Sequence, residues 1–278
     1  KGRALMKRDE VDVVQFALPV AGDNDIQIIN NLRDQVQSLK EMWTGRTPAG
    51  IPMVPDELTE AVFYGREDVA TLLDEGKVPL GLDLETVEPV TWDLKKGNLL
   101  YLTDKEEQMT QFVKQLARSK QKVIVLVPAY NELPEMEGVT LLSTKEDYVA
   151  GIKKMEENIQ LRLEQQKPQH EATIVLYNQL ELMNDLSMDL QSSLNYVLEK
   201  GTRAGYATVA MSGSQLNRKI DEVSKSIKLY KQAIVAMRIT DQSVLNVINR
   251  PVREEPLDSQ VNYYVEDGFV RKVKVLMK

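Results

Sequence analysis

The sequence predicts an α/β protein whose mostly parallel sheet is flanked by helices on both faces. Three observations predict it. Continuously apolar runs recur at 122–127, 172–176 and 206–211, as strands buried on both faces require. Longer stretches between them carry apolar residues at i, i+3, i+4 and i+7, the mark of amphipathic helices. The two signals alternate through the chain, which is the pattern of repeated β–α–β units.

Taken in order, residues 4–17 read as two short strands around Arg8-Asp9-Glu10. Asp23 is the expected N-cap of a helix over 23–43, striped by Ile26, Ile29, Leu32, Val36, Leu39 and Trp43. A linker rich in Pro and Gly follows at 44–55. Strands are expected at 89–94 and 99–102, then a helix over 104–119 with Met109, Phe112, Val113 and Leu116 on its apolar face. Strands at 122–127 and 139–142 precede a long helix. Its start is marked by Ser143 and Glu146 as a capping box, and it ends before Pro168. Beyond the strand at 172–176, Leu186, Leu190, Leu194 and Val197 stripe a helix that stops at Gly201. A strand at 206–211, a helix striped by Leu216, Ile220, Val223 and Ile227, and a strand at 233–239 continue the alternation. Residues 263–277 read as a hairpin about Asp267-Gly268. The two ends are alike in their ribbon pattern, so residues 1–22 are expected to be the tail of a preceding copy of the same kind of module. Residues 23–50 then form a helix and linker, and the main domain spans 51–278.

With 278 residues, 42% of them hydrophobic, the chain buries a substantial core. It has no cysteine and one histidine, His170, a polar residue just ahead of a strand. Disulfides, thiolate metal sites and histidine clusters are thereby excluded. A net charge of −7 with interspersed signs disfavours a nucleic-acid surface, which needs a basic face. No apolar run approaches the roughly 20 residues that span a bilayer. The chain opens at Lys1 without a methionine or a signal peptide, so it is expected to be a cytoplasm-facing piece of something longer.

The segment from Asn98 to Thr110 has the strand–turn–helix context in which G-x-x-x-x-G-K-[ST] cradles nucleotide phosphates. Laid over that pattern, Thr103 and Gln108 replace the glycines, Met109 replaces the lysine, and only Thr110 fits. Asp104, Glu106 and Glu107 crowd the helix end that an anion would occupy, offset by Lys105 alone. Each carboxylate there gains about 0.3–1 kcal/mol from the helix dipole and repels a triphosphate. The simplest role for Thr103 or Asp104 is to cap the helix. A second strand ending in carboxylates is needed to hold Mg²⁺. The candidate, 172–179, ends in the amides Asn178 and Gln179.

Several phrases resemble the FtsK/SpoIIIE superfamily of ring-forming motor ATPases, in its type VII secretion branch. They are Pro52-Met-Val-Pro-Asp-Glu-Leu58, the lead-in from Pro79 to Leu94, and Gly2-Arg-Ala-Leu-Met6. The similarity is greatest to the C-terminal (third), degenerate ATPase domain of the membrane-anchored Firmicutes coupling protein. That resemblance implies a RecA-like P-loop NTPase fold, and a cytoplasmic domain of a cell-membrane protein strung after sister modules that bind ATP and Mg²⁺. It implies secreted WXG100-type substrates and a homo-oligomeric ring, a hexamer, in the full protein. No catalytic residue, metal or cofactor is expected in this domain, which reads as a pseudo-ATPase serving substrate recognition and motor regulation or assembly. By the same resemblance Arg203, ahead of the strand at 206–211, is a candidate arginine finger, and Ser212-Gly-Ser214 is similar to a sensor turn. Trp43, Met53, Phe63 and Tyr64 are candidate partner-binding residues. The alternative is an ATP-hydrolysing motor domain with a non-consensus site, needing Lys95, Lys96 or Arg203 at the 103–110 loop and Glu181 or Asp185 as a surrogate metal carboxylate. No appended basic helix-turn-helix marks a DNA translocase.

Overall fold

The computed structural model describes residues 3–7, 11–17, 19–45, 50–94, 97–167, 169–250 and 253–276. The expected turn at 8–10, part of the linker at 46–49, and Gly2, Lys95, Lys96, Pro168 and Met277 lie outside the described residues. The chain divides into two compact units, Lys1–Ile51 and Pro52–Lys278.

In the first unit, β1 (Arg3–Lys7) pairs antiparallel with β2 (Val11–Gln15), Arg3 opposite Gln15 and Lys7 opposite Val11. Helix α1 (Asp25–Met42) is capped by Asn24, not Asp23. The Gln27 N–H donates to Asn24 Oδ1 at 2.9 Å, while the Asp23 N–H is itself taken by Gln27 Oε1 at 2.8 Å.

The second unit runs α2 (Glu60–Tyr64), α3 (Glu67–Asp74), β3 (Val78–Asp83), β4 (Pro89–Trp92), β5 (Leu99–Leu102), α4 (Glu106–Ala117), β6 (Val123–Leu126), β7 (Val139–Leu142) and α5 (Lys145–Glu164). It continues with β8 (Ala172–Leu176), α6 (Gln179–Asp185), α7 (Met188–Lys200), β9 (Tyr206–Ser212), α8 (Glu222–Lys228), β10 (Gln232–Val235), β11 (Val261–Glu266) and β12 (Phe269–Lys274). The sheet order is β4-β3-β12-β11-β10-β5-β9-β8-β6-β7. Neighbours from β10 to β7 are parallel, and those from β10 to β4 antiparallel. The hairpin β11–β12 is thus built into the sheet between β10 and β3.

The pleat splits the core in two. Leu100, Leu102, Ile174 and Leu176 face α5, α7 and α8, whereas Leu99, Tyr101, Val123 and Val175 face α4. The expected two-sided α/β sheet is what forms. Several local expectations shift. The capping box of α5 is Thr144 with Asp147, one residue later than Ser143 and Glu146, each side chain accepting from the other's N–H at 3.2 Å. The helix expected over Leu216–Ile227 is shorter: 214–218 form a 3₁₀ turn, Asp221 caps α8, and Ile220 is 81% exposed. The strand expected over 233–239 stops at Val235, and Ile239 is buried from a 3₁₀ turn. Helices α2, α3 and α6 and strand β3 were not among the expected elements.

Candidate functional site

Strands β5, β8 and β9 are parallel, so their carboxyl ends place residues 103–110, 177–179 and 212–214 together. In α/β sheets this is where ligands bind. The loop after β5 closes on itself. Thr103 is fully buried, and its N–H donates to the Ser212 carbonyl at 2.9 Å. Its hydroxyl accepts from the Lys105 N–H at 3.1 Å and donates to Gln108 Oε1. The two residues standing for the glycines are therefore bonded to each other. Lys105 is the N-cap of α4 and makes no side-chain cap bond, so neither Thr103 nor Asp104 caps this helix. Asp104 instead reaches across to the turn after β9, where its Oδ1 accepts from Ser214 N at 2.9 Å and Ser214 Oγ at 3.3 Å. Gly213 sits so close that a Cβ there would meet Asp104 Oδ1 at 2.6 Å.

Met109 is 4% exposed and packs with Tyr101, Phe112 and Tyr177 in the core cluster beneath α4. Position 109 therefore belongs to the core. Thr110 Oγ1 is 2.9 Å from the Tyr177 hydroxyl, and that phenol also donates to the Glu106 carbonyl at 3.3 Å. Burial pushes the Tyr177 phenol up to about 12, so it stays protonated as a donor. Glu106 Oε1 accepts from Asn131 Nδ2. The chain's own carboxylate, at the first turn of α4, is thus held where an anion would gain from the helix dipole.

The second motif is equally occupied. Gln179 is fully buried; its Nε2 donates to Ser224 Oγ and its Oε1 accepts from Ser212 Oγ, both at 3.2 Å. Asn178 takes a left-handed backbone (φ +44°), and its Nδ2 donates to the Tyr130 hydroxyl at 3.2 Å. Of the surrogate acids, Glu181 accepts from Asn184 and Asp185 from the Ala129 N–H, each at 2.9 Å. Among the described residues no three His, Cys, Asp or Glu side chains are grouped to hold a metal. The residues present do not fit a magnesium triphosphate. The Thr103 and Lys105 amides are taken by the Ser212 carbonyl and the Thr103 hydroxyl, the lysine position is core, and the strand-end amide is locked between two serines.

Arg203 is exposed in the 3₁₀ turn ahead of β9. It therefore lies at the amino ends of the strands, a strand length of about 23 Å, at 3.3 Å per residue, from the loop. It does not reach the 103–110 loop of its own chain. Trp43 and Met53 are 62% and 79% exposed in their respective units. Phe63 is fully buried with Leu58, Val69, Leu82 and Leu276, so its place is the core and not a partner surface. Tyr64 is covered by the Arg118 guanidinium, 4.8 Å above its ring. His170 is exposed just before β8, as its position ahead of a strand suggests. Tyr177, Asn131 and Ser224, which organise the site, carried no motif; the aromatic following the apolar run 172–176 was the one available cue for Tyr177.

No protein-family model matches the chain. It is 26% identical over 286 residues to the type VII secretion system protein EssC of Staphylococcus aureus (strain MRSA252), covering 99% of this chain and 19% of that protein. It is 28% identical over 301 residues to the ESX secretion system protein YukB of Bacillus subtilis (strain 168), covering 99% and 20%. The chain thus spans about a fifth of the length of these curated relatives. Among solved structures, EssC (ATPases 2 and 3) from Geobacillus thermodenitrificans superposes with a TM-score of 0.77 at 21% identity, over 99% of this chain and 56% of that one. Thermomonospora curvata EccC (ATPases 2 and 3) in complex with a signal sequence peptide gives 0.62 at 16% identity, over 100% and 53%. Among the described residues no helix is long and apolar enough to cross a membrane. Over nearly its whole length the chain is a homologue of the EssC and YukB proteins of type VII secretion, and it is folded like the ATPase domains of EssC and EccC.

Proposed function

We propose that this chain is a non-hydrolysing, ATPase-like module of a type VII secretion coupling protein, acting in recognition of WXG100-type substrates and in regulation or assembly of the motor. The observation that carries the loss of catalysis is Met109, packed into the core at the position where a phosphate loop needs its lysine. Substrate recognition is supported by the relative whose ATPases 2 and 3 are solved with a signal sequence peptide. In this reading the module sits on the cytoplasmic side, next to sister ATPase modules of the same polypeptide in a ring, and takes its energy coupling from them. It neither binds nucleic acid nor needs its own ATP or Mg²⁺.

The test is calorimetric titration of the chain with ATP and Mg²⁺ to millimolar ligand, beside a pull-down with WXG100-type proteins. Absence of heat with capture of a substrate is the expected result. Saturable ATP binding with turnover would overturn the loss of catalysis. Failure to capture any such substrate, with a sister module present, would overturn the recognition role.

A further inference from the structure

Helix α1 (Asp25–Met42) buries none of its residues, yet one side of it is a continuous aliphatic row. Ile29, Leu32, Val36 and Leu39 are between 39% and 55% exposed, and Trp43 at the C-cap extends the row. Successive members lie three, four, three and four residues apart, a seven-residue repeat. Lettered abcdefg from Ile29, the a positions are Ile29, Val36 and Trp43, and the d positions are Leu32 and Leu39. In the middle of the row the flanking e and g positions are Arg33, Gln35 and Lys40; Ile28 and Met42 broaden it only at the ends. The apolar face is therefore the narrow two-column seam of a coiled coil, not the wider stripe of a helix laid on a globular core. The acids Asp34 and Glu41 fall at f, on the outer face.

We infer that α1 pairs, parallel and in register, with the α1 of a second copy of this chain. Two observations select that occupant. β-Branched residues at a with leucine at d, as in Ile29, Leu32, Val36 and Leu39, favour two parallel strands. Charge agrees on the orientation. In a parallel pair g faces e of the other helix, which sets Gln35 beside Lys40; in an antiparallel pair e faces e, which sets Arg33 against Lys40. The seam is about 27 Å long, for 18 residues at about 1.5 Å each. So short a pairing depends on protein concentration. It ties two copies together through the segment that precedes the unit Pro52–Lys278. The inference rests on α1 alone and is independent of the nucleotide and substrate readings above.

The chain has no cysteine, so single introduced thiols report the pairing without background. Ile29→Cys, Val36→Cys and Ser38→Cys are oxidised with diamide side by side, and the linked dimer is followed on non-reducing gels. A disulfide forms only where the two Cα atoms come within about 7 Å. Positions 29 and 36 meet their own counterparts across a parallel seam, whereas 38, at c, lies on the outer face. Ile29→Cys and Val36→Cys are expected to link at least about tenfold faster than Ser38→Cys. Leu32→Glu added to Ile29→Cys sets like charges face to face and is expected to bring the rate down to that of Ser38→Cys. Mixing that protein with one carrying Leu32→Lys and Ile29→Cys is expected to restore linking, because opposite charges then meet; a helix that had merely unfolded would not be rescued. Linking at 29 no faster than at 38 would overturn the inference, and is the outcome if α1 is covered by another part of the polypeptide or pairs antiparallel. Linking unchanged by Leu32→Glu, or no rescue in the mixture, would overturn it too.

Discussion

Replacing Met109 with lysine restores the charge a phosphate loop needs, and it puts the competing accounts of this site in direct opposition. Met109 is 4% exposed and packs with Tyr101, Phe112 and Tyr177. Burial of a methionine side chain stabilises by about 1.5–3 kcal/mol, and truncation to alanine in a core costs about 2–5 kcal/mol. A lysine keeps much of the stem packing, because α4 begins at Glu106 and the ammonium can turn out toward the exposed Glu106 and Glu107. The net loss should therefore sit near the lower end, about 2–3 kcal/mol. For a domain of this size that is a fall of about 4–12 °C in Tm, at about 2–4 °C per kcal/mol. Met109→Leu, similar in volume, should cost less than about 1.5 kcal/mol. Circular-dichroism melts of the three proteins, each followed by titration with ATP and Mg²⁺, make the comparison. A lysine variant that melts with the wild type and binds ATP below millimolar would show that Met109 merely fills a nucleotide loop, and would refute the reasoning.

Gln179→Leu should cost about 1–3 kcal/mol in urea denaturation, since it strands two buried serine hydroxyls, Ser212 and Ser224. Adding Ser224→Ala should cost less than the sum of the single changes. Phe63→Ala should destabilise by about 3–5 kcal/mol, whereas Trp43→Ser should stay within about 0.5 kcal/mol, both read from denaturation midpoints. The Arg66 hydrogen bonds hold the Asp68 carboxyl below its ordinary value, at 2.6 and 2.9 Å. A depressed folded pKa means the pair contributes above about pH 4, the unfolded value, and is lost as pH falls through the lower folded value. Because the pair is largely exposed, that contribution is under about 1 kcal/mol. Arg66→Ala should therefore destabilise more at pH 7 than at pH 2, where only the Arg66 bond to the Val87 carbonyl remains to be lost. Arg203→Ala should leave the stability of the isolated chain within about 0.5 kcal/mol; a larger loss would show that this exposed arginine carries a contact of its own.

The sheet was legible because burial on both faces writes continuous apolar runs: 122–127, 172–176 and 206–211 hold β6, β8 and β9. Helix α4 was legible from the spacing of Met109, Phe112, Val113 and Leu116. Capping was legible only to within a residue, since Asp23-Asn24 and Ser143-Thr144 each offer two suitable side chains and backbone geometry chooses between them. The departures from the phosphate-loop and strand-end patterns at 103, 108, 109, 178 and 179 are one-dimensional facts. What those residues bond to is not. Glu106 with Asn131, Gln179 between Ser212 and Ser224, and Asp104 on Ser214 all join residues from different loops, and no periodicity marks such pairs. Phe63 shows the converse limit, for an apolar residue in a short helix reads the same whether it faces a partner or its own core.

The place of β12 in the sheet has a consequence for how the domain is made. Among the described residues the β3–β4 pair joins the rest of the sheet only through β12, Val273 meeting Asp83 across 190 residues of sequence. During synthesis at about 5–20 residues per second, the early strands wait on the order of ten to forty seconds for their neighbour. The parallel centre from β5 to β10 can assemble first, while β3 keeps an unpaired edge. Contacts this distant in sequence slow folding, so refolding should show a late phase that belongs to docking of the ribbon. The interval before that docking is when the nascent domain is most exposed to aggregation and most in need of a chaperone.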